Sequence, residues 1–145
     1  MTQTLPDSPV CAVGAIVFRG NAVLLIRRAK PPALGRWSIP GGRVVLGETL
    51  EAAVVRELRE EAGMEVRPIA VGKVVDRIYR NSEGKIIYHY VIIDYVCEAG
   101  PGQPQAGSDA GDAGFFELSK LDEMDMTEGT LEVIREVRRN WKDTG

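Results

Sequence analysis

Apolar residues run almost unbroken through residues 10–18, and after Gly20-Asn21 a second apolar run covers residues 22–26. Two such runs around a turn-forming dipeptide predict a pair of strands joined as a hairpin. Residues 30–43 hold Pro31, Pro32, Gly35, Pro40, Gly41 and Gly42, a density of breakers that predicts a surface loop around a short strand at Trp37-Ser38-Ile39. Residues 49–62 contain no Gly or Pro, are rich in Ala, Leu, Glu and Arg, and stop at Gly63, so they predict a helix with a left-handed C-terminal cap.

Beyond Gly63, β-branched residues through 66–79, a polar turn at 81–84 and a stretch at 86–97 apolar on both alternating faces predict a long hairpin in the middle of a sheet. Residues 100–114 are mostly Gly, Pro, Ala, Gln and Asp and predict a mobile connection, followed by a short strand at 115–118. Ile134, Val137 and Trp141 stand at helical spacing within residues 127–141, with Thr127 as N-cap and Arg138 and Arg139 near the C-terminal end. With no internal repeat, the expected organisation is a flexible leader over residues 1–9 and one α+β domain over 10–145, a mixed sheet with helices packed on it.

The first helix departs from an ordinary amphipathic pattern. At about 100° per residue, Leu50, Val54, Leu58 and Ala62 form one stripe, and Glu57, Glu60 and Glu61 fall in a roughly 100° arc beside it. Glu57 repels the other two at i+3 and i+4, and all three lie near the helix C-terminus, where negative charge is disfavoured; each penalty is on the order of 0.3–1 kcal/mol. A compensating cation is needed. Arg56, four residues before Glu60, could supply it by pairing along the helix. Gly41-Gly42, however, frees backbone to approach a ligand, and a glycine carbonyl is a hard oxygen donor like a carboxylate. An all-oxygen set without nearby His or Cys points to Mg²⁺ or Mn²⁺ and not to zinc.

Charge and cysteine usage narrow the classes. The 18 basic and 21 acidic residues are interspersed, for a net charge of −3, so no broad basic face is available for a nucleic-acid polymer. No apolar run is long enough to span a membrane, the N-terminus does not read as a signal peptide, and Cys11 and Cys97 lie in strand-like runs at no metal or redox spacing. Two buried thiols and a cytoplasmic location are expected.

Gly42-x5-Glu48-x7-Arg56-Glu57-Leu58-x-Glu60-Glu61-x-Gly63-Met64 resembles the complete Nudix box, and the order of elements around it resembles the Nudix α/β/α sandwich over nearly the whole chain. The resemblance implies metal binding by Glu57, Glu60, Glu61 and the Gly41 carbonyl, and structural roles for Gly42, Glu48, Arg56 and Gly63. It also implies cleavage of a nucleoside diphosphate linked to another group, with Mg²⁺ (or Mn²⁺) as cofactor and a homodimer as a common assembly. The general base would be Glu57, Glu60 or an acid of the downstream loop, Asp109 or Asp112, closing over the substrate.

Arg27, Arg28, Lys30 and Arg36 cluster just before the box as candidate phosphate ligands. Trp37 is a candidate stacking platform, although plugging the sheet edge is its default reading. His89 has no acidic or nucleophilic partner in view and is taken as structural or as a weak substrate contact. ADP-ribose or a related sugar nucleotide is the expected substrate. Nucleoside triphosphates, dinucleoside polyphosphates and a non-catalytic ligand-sensing module are the alternatives. The proline that ADP-ribose hydrolases of the family often carry beyond the box is replaced here by Tyr79-Arg80, so the subgroup stays open.

Overall fold

Strands apolar on both faces need cover above and below, and β1 (Val10–Arg19) and β6 (Ile86–Ala99) obtain it by lying side by side and parallel, Val10 opposite Tyr90 through Val17 opposite Cys97. The structure, a computed structural model, describes residues 5–107 and 110–141. Around this central pair the sheet runs β3 (Trp37–Ser38), β2 (Ala22–Arg28), β1, β6, β5 (Val66–Arg80), with β4 (Gly41–Arg43) also on β1 and β7 (Ala110–Glu117) on β2. The other strand pairings are antiparallel, so the sheet is mixed, as expected.

Alternation then sorts side chains into two cores. Val13, Ala15, Val17, Leu24 and Ile26 face α1 (Leu50–Ala62), where Val54, Leu58 and Ala62 are fully buried. Ile16, Val23, Leu25 and Val96 face the other way, against Leu121 of a 3₁₀ turn (Leu118–Glu123) and Val133, Ile134 and Val137 of α2 (Thr130–Asn140). The result is a helix layer on each face of the sheet.

The first helix forms as the sequence predicts. Thr49 caps it by accepting from the Ala52 amide at 3.2 Å, and Gly63, at φ 62°, ends it with its amide on the Arg59 and Leu58 carbonyls. Several expectations are corrected. The hairpin of residues 66–97 is not wholly central: β6 lies in the middle of the sheet beside β1, but β5 is its edge strand. The segment 100–114 is not wholly a connection, because Ala110 to Gly114 already belong to β7; backbone bonds to β2 hold residues whose side chains carry no apolar pattern. Thr127 does not cap α2: its amide donates to the Trp37 carbonyl at 2.8 Å, which ties residues 125–127 to β3 as extended chain and delays the helix to Thr130, after Gly129 at φ 82°. Cys97 is buried but Cys11 is exposed, since it lies two residues before Val13, where the α1-side core begins. Residues 5–9 are exposed, and no helix among the described residues is long and apolar enough to cross a membrane.

Leu58→Ala removes a side chain that is 0% exposed in the α1-side core. A loss of about 2–5 kcal/mol, with an unchanged denaturant slope, is expected in urea unfolding followed by circular dichroism.

Candidate functional site

The site is built on the free edge of β4. Ala15 donates to the Pro40 carbonyl (2.9 Å) and Val44 to the Cys11 carbonyl (3.1 Å), and Val13 stands opposite Gly42 between them. Antiparallel ladder bonds recur at every second residue, so the Gly41 amide and carbonyl both face away from β1. The amide donates to Glu61 Oε2 at 2.9 Å, which places the carbonyl on the same edge, toward α1. Glycine is required here on steric grounds: a Cβ on Gly41 would lie 2.0 Å from the Val13 carbonyl, and one on Gly42 would lie 2.5 Å from the carboxyl carbon of Glu57.

Arg56 organises the rest. Its guanidinium holds Glu48 through both oxygens (2.7 and 2.9 Å), Glu57 Oε1 at 2.9 Å, Glu60 Oε2 at 3.2 Å and the Arg43 carbonyl at 3.0 Å. This bidentate arrangement uses the fork geometry that lysine lacks. The Arg56 side-chain bond, with a backbone bond from Val45, holds the Glu48 carboxyl down at about 2, and Glu48 in turn raises the guanidinium above its ordinary value. The intrahelical Arg56–Glu60 pair expected from the sequence is therefore present, as one spoke of a larger hub that joins the loop before α1 to the helix.

Glu57, Glu60 and Glu61 border a cleft of about 490 Å³, with Arg28 and Lys30 also lining it. Its floor is the sheet around Gly14 and Ile92, and Thr127, Thr130 and Val133 enter from the α2 side. Neighbours on a strand point to opposite faces, and Arg27 and Arg28 on β2 part company accordingly. Arg28 borders the cleft and donates to the Pro32 carbonyl at 2.6 Å, whereas Arg27 is exposed and donates to the Gly35 carbonyl at 3.1 Å.

Neither Arg36 nor Trp37 lines the cleft, so neither serves as the substrate contact considered for it, and Trp37 takes its default place in packing. Arg36 pairs with Asp125 at 3.5 Å, and Trp37 packs edge-on against Phe116, ring centroids 4.7 Å apart, in the α2-side core. His89 alternates with Tyr90, which lines the cleft, and so faces away from it. Asp112 is exposed on β7 and accepts from the Ala113 amide at 2.8 Å, away from the cleft; Asp109 lies outside the described residues.

The sequence reading missed Asp94. It is 4% exposed on β6, opposite Gly14 in the parallel register, and lines the cleft floor. A charged residue in the middle of the apolar run Val91-Ile92-Ile93-Asp94-Tyr95-Val96 was the available signal, because such residues are seldom buried without purpose. Tyr79, Arg77 and Tyr90 line the same side of the cleft from β5 and β6.

The donor set fits a hard divalent cation: three carboxylates and a backbone carbonyl, all oxygen, with Gly42 leaving the space that the Glu57 carboxylate fills. Among the described residues no three acidic, His or Cys side chains already close around one point. Arg56 spreads Glu57 and Glu60 over its guanidinium, and Gly41 draws on Glu61. Positive charge is thus already placed where these carboxylates need it, and a bound cation would share them with Arg56.

Burial raises the Asp94 carboxyl to about 6, against a smaller opposing pull from Arg77. A carboxyl with a raised folded pKa favours the native state below its unfolded value, near 3.8, and loses that contribution as pH rises through about 6. Asp94→Asn is therefore expected to match the parent protein near pH 4 and to exceed its stability by on the order of 2–3 kcal/mol at pH 8. Urea unfolding across that range checks this, and a difference independent of pH would contradict it.

Known proteins place this arrangement. The NUDIX domain family matches residues 9–137. An ADP-ribose pyrophosphatase of Methanocaldococcus jannaschii is 38% identical over 113 residues, 78% of this chain and 64% of that protein. A Mycobacterium tuberculosis protein provisionally named 8-oxo-dGTP diphosphatase 2 is 53% identical over 74 residues, 50% of this chain and 52% of its own length. The chain thus spans about half to just under two thirds of these relatives. The crystal structure of a MutT NUDIX hydrolase from Burkholderia pseudomallei superposes with a TM-score of 0.79 at 32% identity, covering 90% of this chain and 99% of that one. With the family model matching residues 9–137, nearly the whole of the sheet and both helices, the chain belongs to the NUDIX domain family.

Proposed function

We propose that this protein is a divalent-metal-dependent hydrolase of phosphoric anhydrides, acting on a small nucleotide-like diphosphate, with ADP-ribose or a related sugar nucleotide as substrate. The observation that carries the reading is the meeting of Glu57, Glu60 and Glu61 with the outward-facing Gly41 backbone at a cleft also bordered by Arg28 and Lys30. The archaeal ADP-ribose pyrophosphatase, similar over more than three quarters of this chain, supports the substrate.

Glu57, Glu60, Glu61 and the Gly41 carbonyl would hold Mg²⁺ or Mn²⁺, which when bound neutralises diphosphate oxygens and acidifies the attacking water. Arg28 and Lys30 receive the remaining phosphate charge by charge-assisted hydrogen bonds. Glu57 or Glu60 takes the water's proton as the new phosphorus–oxygen bond forms. The anhydride bond breaks, its electron pair leaving with the second phosphate. Arg56 keeps the carboxylates in place without touching substrate, and Glu48 fixes Arg56.

The second reading, hydrolysis of damaged nucleoside triphosphates, is favoured by the mycobacterial relative. Products separate the two: AMP and ribose 5-phosphate in the first case, a nucleoside monophosphate and pyrophosphate in the second. A panel of ADP-ribose, 8-oxo-dGTP and diadenosine polyphosphates with Mg²⁺ tests both. Glu57→Gln and Glu61→Gln are expected to lower kcat at least a hundredfold while the proteins stay folded. Tight binding of a panel member without turnover would favour a ligand-sensing role.

Among the basic residues before the box, Arg28→Ala is expected to raise KM about tenfold or more. Arg27→Ala and Arg36→Ala, exposed and bonded elsewhere, should change it less than about twofold. Steady-state kinetics on the preferred substrate distinguishes these outcomes.

A further inference from the structure

The hydrolytic reading leaves one buried charged group without a task. Asp94 is the sole charged residue between Tyr88 and Cys97 on a central strand, and its carboxylate leans over Gly14: a Cβ there would stand 2.2 Å from Asp94 Oδ1. Lys73, opposite Asp94 on β5, is engaged by Glu136 of α2 at 2.9 Å. Arg77 acts on Asp94 only through space; its Nη1 donates to the Asp76 carbonyl, and its guanidinium packs beneath Gly129. Among the described residues no donor hydrogen-bonds to Asp94. Burying a carboxylate without a donor is strongly unfavourable, and such a group in a cleft is explained when a ligand brings the donor.

The chemistry of that donor is limited by what surrounds it. A phosphate would be repelled by the carboxylate. Ile39, Val75, Ile92 and Val133 of the lining are aliphatic and suit the two faces of a flat ring, with Arg77, Thr127 and Thr130 also bordering the cleft. The geometry assigns Asp94 to recognition of the nucleobase: its carboxylate accepts hydrogen bonds from an amino or ring N–H edge of a base lying between these aliphatic side chains. Gly14 keeps the carboxylate open to that edge, since any side chain there would displace it. The assignment rests on the proposal that the cleft takes a nucleotide, and it adds which part of the nucleotide is read and by which residue.

Binding of mononucleotides tests this without requiring turnover. Isothermal titration would compare AMP with purine riboside 5′-monophosphate, and GMP with inosine 5′-monophosphate, each pair differing by one amino group. The parent protein should prefer the amino-bearing member of at least one pair by about ten- to a hundredfold, the range for a hydrogen bond to a charged group. Asp94→Leu should abolish that preference while binding the member without the amino group within about threefold of the parent. Gly14→Ala, which displaces the carboxylate but keeps its charge, should narrow the preference. Asp94→Asn, close to isosteric, guards against a folding defect and should weaken the preference with an unchanged circular dichroism spectrum. Equal binding within both pairs, or a preference that survives Asp94→Leu, overturns the assignment. If the preference depends on Asp94 but no anhydride is hydrolysed, the assignment stands and the hydrolase reading falls. If ADP-ribose is hydrolysed and base preference ignores Asp94, the reverse holds.

Discussion

Arg56 carries more of the site than any carboxylate does. Three glutamates within two turns of one helix, near its C-terminus, repel one another and oppose the helix dipole. A single guanidinium bonded to Glu48, Glu57, Glu60 and the Arg43 carbonyl offsets that repulsion and ties the loop after β4 to α1. The planar fork makes this possible, because its donors diverge in fixed directions that an ammonium group cannot reproduce. Without that tie, the loop carrying Glu48 would be left to the packing of Val44 and the Thr49 cap, and the helix would keep its charges with little to offset them.

The same economy of backbone appears on β4, a strand of three residues. One edge completes the ladder with β1, and the other is left for α1, where the Gly41 amide meets Glu61. Short strands at a sheet edge often leave polar groups unpaired, and here they are turned toward charged side chains instead of solvent. Gly14, Gly41 and Gly42 are adjacent in the β1–β4 register, and each makes room for a neighbour: an aspartate, a strand and a glutamate. A cleft able to admit a charged ligand close to the backbone follows from three absent side chains.

The cleft also sets stability against function. Asp94 lies on the strand whose other residues build both cores, and burial there penalises its charged form. A purely structural residue at that place would be apolar. The contrast with Glu48, whose carboxyl is held low by its arginine, separates a carboxylate that maintains the scaffold from one that awaits a partner.

What the sequence determined by itself was whatever depends on neighbours along the chain. The hairpins, the helix from Leu50 to Ala62 with its Thr49 and Gly63 caps, and the arc of Glu57, Glu60 and Glu61 follow from local periodicity and capping, which act within a turn or two. The spacing from Gly42 to Met64 was likewise local, and it carried the family. Tertiary structure decided everything that depends on register between distant segments. Glycine-rich residues 110–114 became a strand because β2 offered an edge, and α2 began late because β3 recruited Thr127. Arg36 was drawn away from Arg28 by Asp125, and Asp94 came to rest over Gly14 because β1 and β6 run side by side in parallel register. A chain far apart in sequence is brought to contact by burial of its apolar faces, and that force is blind to which polar residue it carries into the cleft.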